Sequence, residues 1–167
     1  MVKTYSECIR EYGSARKIAY LIKEEKLFRL ERGVYSTEKY EHLIVMVNKR
    51  YPQAVVSMQS AFYYNNLTDV VPNCLHIATA RNSTKINDKR ICQHFIPENT
   101  LNIGVTNLIR NGIVIRTYDL ERLCIDLMKN RTKLPYDLYK EVVLSLRNRV
   151  HEIYPAKIDD YLDAFPY

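Results

Sequence analysis

The chain has 167 residues, 47% hydrophobic and 26% charged, with a formal net charge of +6. That is enough apolar material for a packed core and too much for a disordered segment. No stretch nears the roughly 20 apolar residues of a membrane span, and the opening Met1 to Glu7 lacks the apolar run of a secretory signal. A cytoplasmic protein is expected, whose reducing compartment leaves Cys8, Cys74, Cys92 and Cys124 as thiols.

The charge is uneven: +4 over residues 1–50, +3 over 51–118 and −1 over 119–167. A basic first two thirds favours a polyanionic partner, set against the plainer reading of a solvated face. In the first stretch Thr4 and Glu7 have capping-box spacing, and Tyr5, Cys8, Ile9 and Tyr12 fall on one helical face. Gly13 ends that helix and Ser14 can cap the next. The second helix turns Ala15, Ile18, Ala19 and Ile22 inward and Arg16, Tyr20 and Lys23 outward, with Lys17 beside them. Two short helices about a tight turn predict a helix-turn-helix. Leu27 to Leu30 and Val34 to Tyr35 predict two strands of a hairpin carrying Lys26, Arg29 and Arg32. A basic hairpin after a second helix is the layout of a winged helix, in which the helix enters the major groove and the wing meets phosphates. Residues 38–50 predict a further helix with Tyr40, Leu43, Ile44 and Val47 on one face. A module boundary is expected at 50/51, because Pro52 disfavours helix before it.

Residues 51–167 read as mixed α/β, and the whole chain as α+β. Ser57 is expected to cap a helix through Asn65, strands are predicted over 74–80, 91–96 and 112–118, and Asp119 can cap a helix over 119–130. Pro135 suits a first helical turn, Leu138, Val142 and Leu146 share a face, and a last short helix spans 157–164.

Three motifs in succession resemble the AbiEi family of abortive-infection antitoxins. They are Arg32-Gly33-Val34-Tyr35, then Ala54 to Thr68 with Ser60 and Leu67, then Tyr118 to Asp126 with Asp119, Glu121, Arg122 and Asp126. The resemblance implies a winged-helix repressor of its own promoter joined to an antitoxin domain, within a type IV toxin–antitoxin pair. It further implies a nucleotidyltransferase-like toxin as functional partner, countered without a tight complex, and a structural part for those motif residues. The family places three helices before the wing, whereas this chain has room for two. The helix over 38–50, or a second protomer in a homodimer, would cover the face so exposed.

Two other chemistries can be weighed. Asp119, Glu121 and Asp126 could hold the cation of a nucleic-acid-processing enzyme. However, Asp119 and Glu121 point apart at a helix start, Asp119 suits an N-cap, and Glu121 suits the helix dipole or, with Arg122, buried polar contacts. No enzyme is expected. Cys74-Leu-His76 and Cys92-Gln-His94 repeat a C-x-H pattern whose members share a strand face. Paired as a hairpin, these strands would bring His76 near His94 and leave the cysteines offset, so thiols and partly exposed histidines are expected, with no metal or other cofactor. A pure interaction module without DNA binding is the remaining alternative.

Overall fold

A computed structural model describes residues 1–165. The fold is α+β, and it divides into two compact units, Met1–Gln53 and the residues from Ala54 onward. Among the described residues no helix is long and apolar enough to cross a membrane.

The first unit opens with β1 (Val2–Thr4), α1 (Tyr5–Tyr12) and α2 (Ala15–Lys23). Both halves of the capping box form: the Glu7 N–H donates to Thr4 Oγ1, and the Thr4 N–H donates to the Glu7 carboxylate at 2.7 Å. Gly13 takes a left-handed φ of 85°, which ends α1 and lets Ser14 cap α2 through the Lys17 N–H. A hairpin follows, β2 (Phe28–Glu31) and β3 (Val34–Ser36), and β1 adds to it in the antiparallel order β1-β3-β2. Cys8, Ile18, Leu27 and Tyr35 are buried together, with Ile9, Tyr12, Leu21 and Ile22 packed around them.

Three expectations need correction here. Ala15 and Ala19 are exposed, and Leu21 joins Ile18 and Ile22 on the inward face. With only α1 and the hairpin to pack against, α2 buries a narrower stripe than its apolar residues span. The helix expected over 38–50 is α3 (Leu43–Arg50), which starts where His42 Nδ1 accepts from the Ile44 N–H. Tyr40 therefore lies in extended chain and is exposed, while Ile44, Met46 and Val47 are buried and α3 packs against β1 and β3.

The second unit is built on a mixed sheet of order β6-β5-β4-β8-β7. In chain order these are β4 (Val55–Val56), β5 (Leu75–Ala80), β6 (Ile91–Ile96), β7 (Val105–Arg110) and β8 (Ile113–Tyr118). The helices are α4 (Met58–Tyr64), α5 (Glu98–Leu101), α6 (Leu120–Lys129), α7 (Tyr136–Asn148) and α8 (Pro155–Ala164). Phe62, Leu67, Ile77, Ile115, Leu123 and Val142 are fully buried between sheet and helices. At about 1.5–3 kcal/mol for each large apolar side chain, this core is the main stabilising feature of the unit.

Here too the local chemistry accounts for the departures. Strands β5 and β6 are parallel rather than a hairpin, with His76 opposite Cys92 and Ala78 opposite His94. Their connection is held to β6 by Gln93, which donates to Thr79 Oγ1 and the Thr84 carbonyl and accepts from the Ile86 N–H. The register brings Cys74 to Cys92, and the two are disulfide-bonded rather than free thiols. Cys8 is a buried thiol and Cys124 a half-buried one, pushed up to about 11 by burial and by the charges of Glu121 and Asp119. Strands β7 and β8 form a hairpin through Asn111-Gly112, both at positive φ (52° and 75°), as a tight two-residue turn requires. Ser57 stands at the start of α4, but its hydroxyl caps no backbone N–H. Pro135 occupies the cap position before α7 rather than its first turn.

Candidate nucleic-acid interface and the buried motif residues

Helix α2 and the β2–β3 hairpin carry seven residues expected to meet DNA. Arg16, Lys17, Tyr20 and Lys23 are all exposed on α2, with Tyr20 at 55%. Lys26 precedes β2, Arg29 lies on it and Arg32 is in the turn, and these three are exposed as well. None of the six cations has a carboxylate in ion-pair reach among the described residues. Lys3, Lys49 and Arg50, elsewhere in the same unit, pair with Glu11, Glu7 and Glu31. Arg10 on α1 and Lys39 after the hairpin are likewise exposed and without an ion pair among the described residues, so most of the unit's unpaired cations, but not all, lie on α2 and the hairpin. Glu24 and Glu25, exposed between them, temper the local charge.

Gly33 and Tyr35 of the first motif tie the hairpin down. The Tyr5 N–H donates to the Gly33 carbonyl at 3.2 Å, and the Tyr35 ring is buried beside Cys8 and Leu27. The unit's electrostatic anchor lies apart from the cations: Lys49 bonds the Glu7 carboxylate at 2.6 Å, and that contact, with the Thr4 N–H, holds Glu7 down to about 2.

The motif residues of the second unit face inward. Ser60 Oγ accepts from the His76 N–H at 2.8 Å and is 3.4 Å from the Cys74 carbonyl, so α4 is stitched to β5. Leu67 is fully buried just after the left-handed Asn66. Asp119 caps α6 through the Arg122 N–H at 2.9 Å, and its other oxygen meets Tyr161 Oη and Lys157 Nζ. Glu121, 3% exposed, accepts from the Tyr154 N–H at 3.0 Å and from Lys157 Nζ at 3.3 Å. Arg122, 1% exposed, donates to the Thr100 and Ile103 carbonyls and to Asp126, and lies over the Tyr118 and Phe165 rings. Burial pushes the Asp126 carboxyl up even beside that guanidinium. Gly104 leaves room for Arg122, since a Cβ there would meet the Arg122 Cβ at 2.6 Å.

Asp119 and Glu121, expected to point apart, both reach Lys157 Nζ, at 2.9 and 3.3 Å, because α8 lays that ammonium across the start of α6, while Asp126 is turned to Arg122. Sequence reasoning had Asp119 as a cap and anticipated buried contacts for Glu121 and Arg122. It missed their destinations, because α5 and the start of α8 carry no periodic signal that names them as partners.

The Cys74–Cys92 bond adjoins two half-buried imidazoles. His76 Nε2 is 3.5 Å from Cys74 Sγ, and His76 Nδ1 is 2.9 Å from His94 Nε2. Burial, with His94 adding to it, holds His76 down to about 4, and burial with Lys133 lowers His94. No protein-family model matches the chain, and no curated protein matches it in sequence.

Proposed function

We propose that the chain is a DNA-binding regulator whose first unit is a reduced winged helix, and that it acts as the antitoxin of a type IV abortive-infection pair, repressing its own promoter. One observation carries the DNA-binding part. Six cations cluster on α2 and the following hairpin, exposed and without carboxylate partners among the described residues, whereas elsewhere in the unit Lys3, Lys49 and Arg50 are paired and only Arg10 and Lys39 are not. Unpaired surface cations release counterions when they meet phosphate, and that release drives binding to a polyanion. The stripe of Arg16, Tyr20 and Lys23 at helical spacing suits a helix reading base edges, and Lys26, Arg29 and Arg32 suit a wing on the backbone.

The antitoxin part rests on the succession of AbiEi-like motifs. Arg32-Gly33-Val34-Tyr35, Ser60 with Leu67, and Asp119 to Asp126 follow in the family's order. On this reading the partner is a nucleotidyltransferase-like toxin encoded beside the gene, opposed without a tight complex. A homodimer would give an operator with an inverted repeat.

The test is to titrate the chain onto its upstream duplex and a scrambled duplex at several salt concentrations. Tighter, salt-dependent binding to the upstream duplex is expected, and Arg16→Ala with Lys23→Ala should cost the upstream duplex more than the scrambled one. Absence of binding to either duplex at low salt would replace the winged-helix reading with the interaction module. Co-expression with the neighbouring toxin gene tests the antitoxin part, with growth expected to recover.

A further inference from the structure

The parallel register of β5 and β6 puts two cysteines and two histidines on one patch of sheet. Cys74, just before β5, is two residues from His76, Cys92 and His94 share a face of β6, and the pairing of His76 with Cys92 sets the two pairs side by side. Cys74, His76 and Cys92 each offer a ligand atom, and these atoms all lie within 4.8 Å of one another. Two ligands on a tetrahedral zinc ion, bound at about 2.0–2.3 Å, stand roughly 3.3–3.8 Å apart. The 3.5 Å between Cys74 Sγ and His76 Nε2 is that spacing.

A disulfide alone gives no reason for the imidazoles. The His76 ring is aimed at both ends: its Nε2 faces the sulfur, and its Nδ1 is 2.9 Å from His94 Nε2, with the two rings stacked at 14°. A histidine that ligates metal through one nitrogen and is held by a hydrogen bond at the other has this arrangement. Ser60 secures the backbone beneath it through the His76 N–H. All four side chains are half-buried, so an ion can enter from solvent.

We infer that Cys74, His76 and Cys92 form a zinc site when their disulfide is reduced, with His94 orienting the His76 ring. A dithiol reductant gives two electrons to the Cys74–Cys92 bond and becomes a disulfide itself, leaving two thiols. Zinc(II) then displaces their two protons to solvent, and the two thiolates cancel the ion's charge. The His76 Nδ1–H donates to His94 Nε2, and the fourth position is open to water. A sulfur and nitrogen donor set of this kind selects zinc over hard cations such as magnesium. A small-molecule disulfide as oxidant takes two electrons from the thiolates and becomes two thiols, which returns the Cys74–Cys92 bond and expels the ion, so the site is gated by redox state.

The test uses the full chain, cobalt(II) as a coloured probe and zinc(II) as competitor. Reduced, metal-free protein should bind one equivalent of cobalt with thiolate-to-cobalt charge transfer and tetrahedral visible bands, both erased by zinc. The oxidised protein should show neither. That contrast needs no substitution, and circular dichroism of the reduced, metal-free chain shows that it is read on folded protein. Cys74→Ser with Cys92→Ser should abolish the charge transfer, His94→Ala should weaken binding about 10–100-fold, and His76→Gln, which removes a ligand, should weaken it at least as much. Absence of thiolate charge transfer in the reduced wild type, or equal binding by the double serine variant, would overturn the proposal. The result is independent of DNA binding.

Discussion

Arg29, on the hairpin of the first unit, is exposed and meets no carboxylate, whereas Arg122, in the second, is 1% exposed and reaches two carbonyls and a carboxylate. The contrast extends to their neighbours. Arg16, Lys17, Lys23, Lys26 and Arg32 share Arg29's situation, while Asp119, Glu121, Asp126 and Lys157 are drawn into mutual contacts. A basic side chain thus has two uses. Left unpaired at the surface it keeps its charge available to a polyanion. Buried with partners it holds elements in place and has nothing left to offer a ligand.

The largest effect expected from this contrast is at Arg122. Arg122→Ala strands a buried Asp126 carboxylate and two carbonyls, and should cost about 3–5 kcal/mol in urea denaturation. Gly104→Ala, which drives a Cβ into Arg122 at a left-handed φ of 74°, should cost about 1–3 kcal/mol by the same assay. At temperatures where these variants stay folded, their DNA-binding salt slope should equal that of the wild type. A changed slope would break the separation of roles.

Reducing the Cys74–Cys92 bond comes next. It closes a loop of sequence separation 18, so its loss in metal-free protein should cost about 2–4 kcal/mol. Amide exchange should show that loss in β5 and β6 and leave α1 and α2 unaffected.

The smallest effects belong to the first unit. Thr4→Ala removes half of the capping box and should cost about 1 kcal/mol, read as faster amide exchange in α1. Glu7 is held down to about 2 in the fold against an ordinary 4.5, so its contribution is present above about pH 4.5 and is lost as the pH falls toward 2. Glu7→Gln should flatten the pH dependence of α1 exchange across that window, and an unchanged profile would contradict the Lys49 contact.

Much of this framework was legible in the residues, wherever a signal was local. Thr4 with Glu7, Gly13 with Ser14 and Asp119 act within a few positions of themselves, and each caps or ends the expected helix. What was missed depended on partners distant in the chain. Val105 to Arg110 became a strand because Asn111-Gly112 turns it back onto β8, a hairpin signal that was present but unused. Nothing local says that β5 and β6 run parallel, since alternation is the same in either direction, and so the meeting of Cys74 with Cys92 could not be foreseen. On α2 the apolar spacing marked a face but not its width, so Ala15 and Ala19 were expected inside and lie outside. On α2 the exposure of Arg16 and Lys23 followed from helical spacing, whereas their lack of carboxylate partners required the fold.

The central claim, that the unpaired cations of α2 and the hairpin are the chain's contact with DNA, is tested most directly by the salt dependence of a wing variant. Each phosphate contact contributes about −0.9 to the slope of log affinity against log salt. Lys26→Ala, Arg29→Ala and Arg32→Ala combined should flatten that slope by up to about 3 units. Upstream and scrambled duplexes should weaken alike, because a wing on phosphates reads no bases, and thermal unfolding should be unchanged, because these side chains have no carboxylate partner to lose. Unchanged affinity and slope in the folded triple variant would contradict the account.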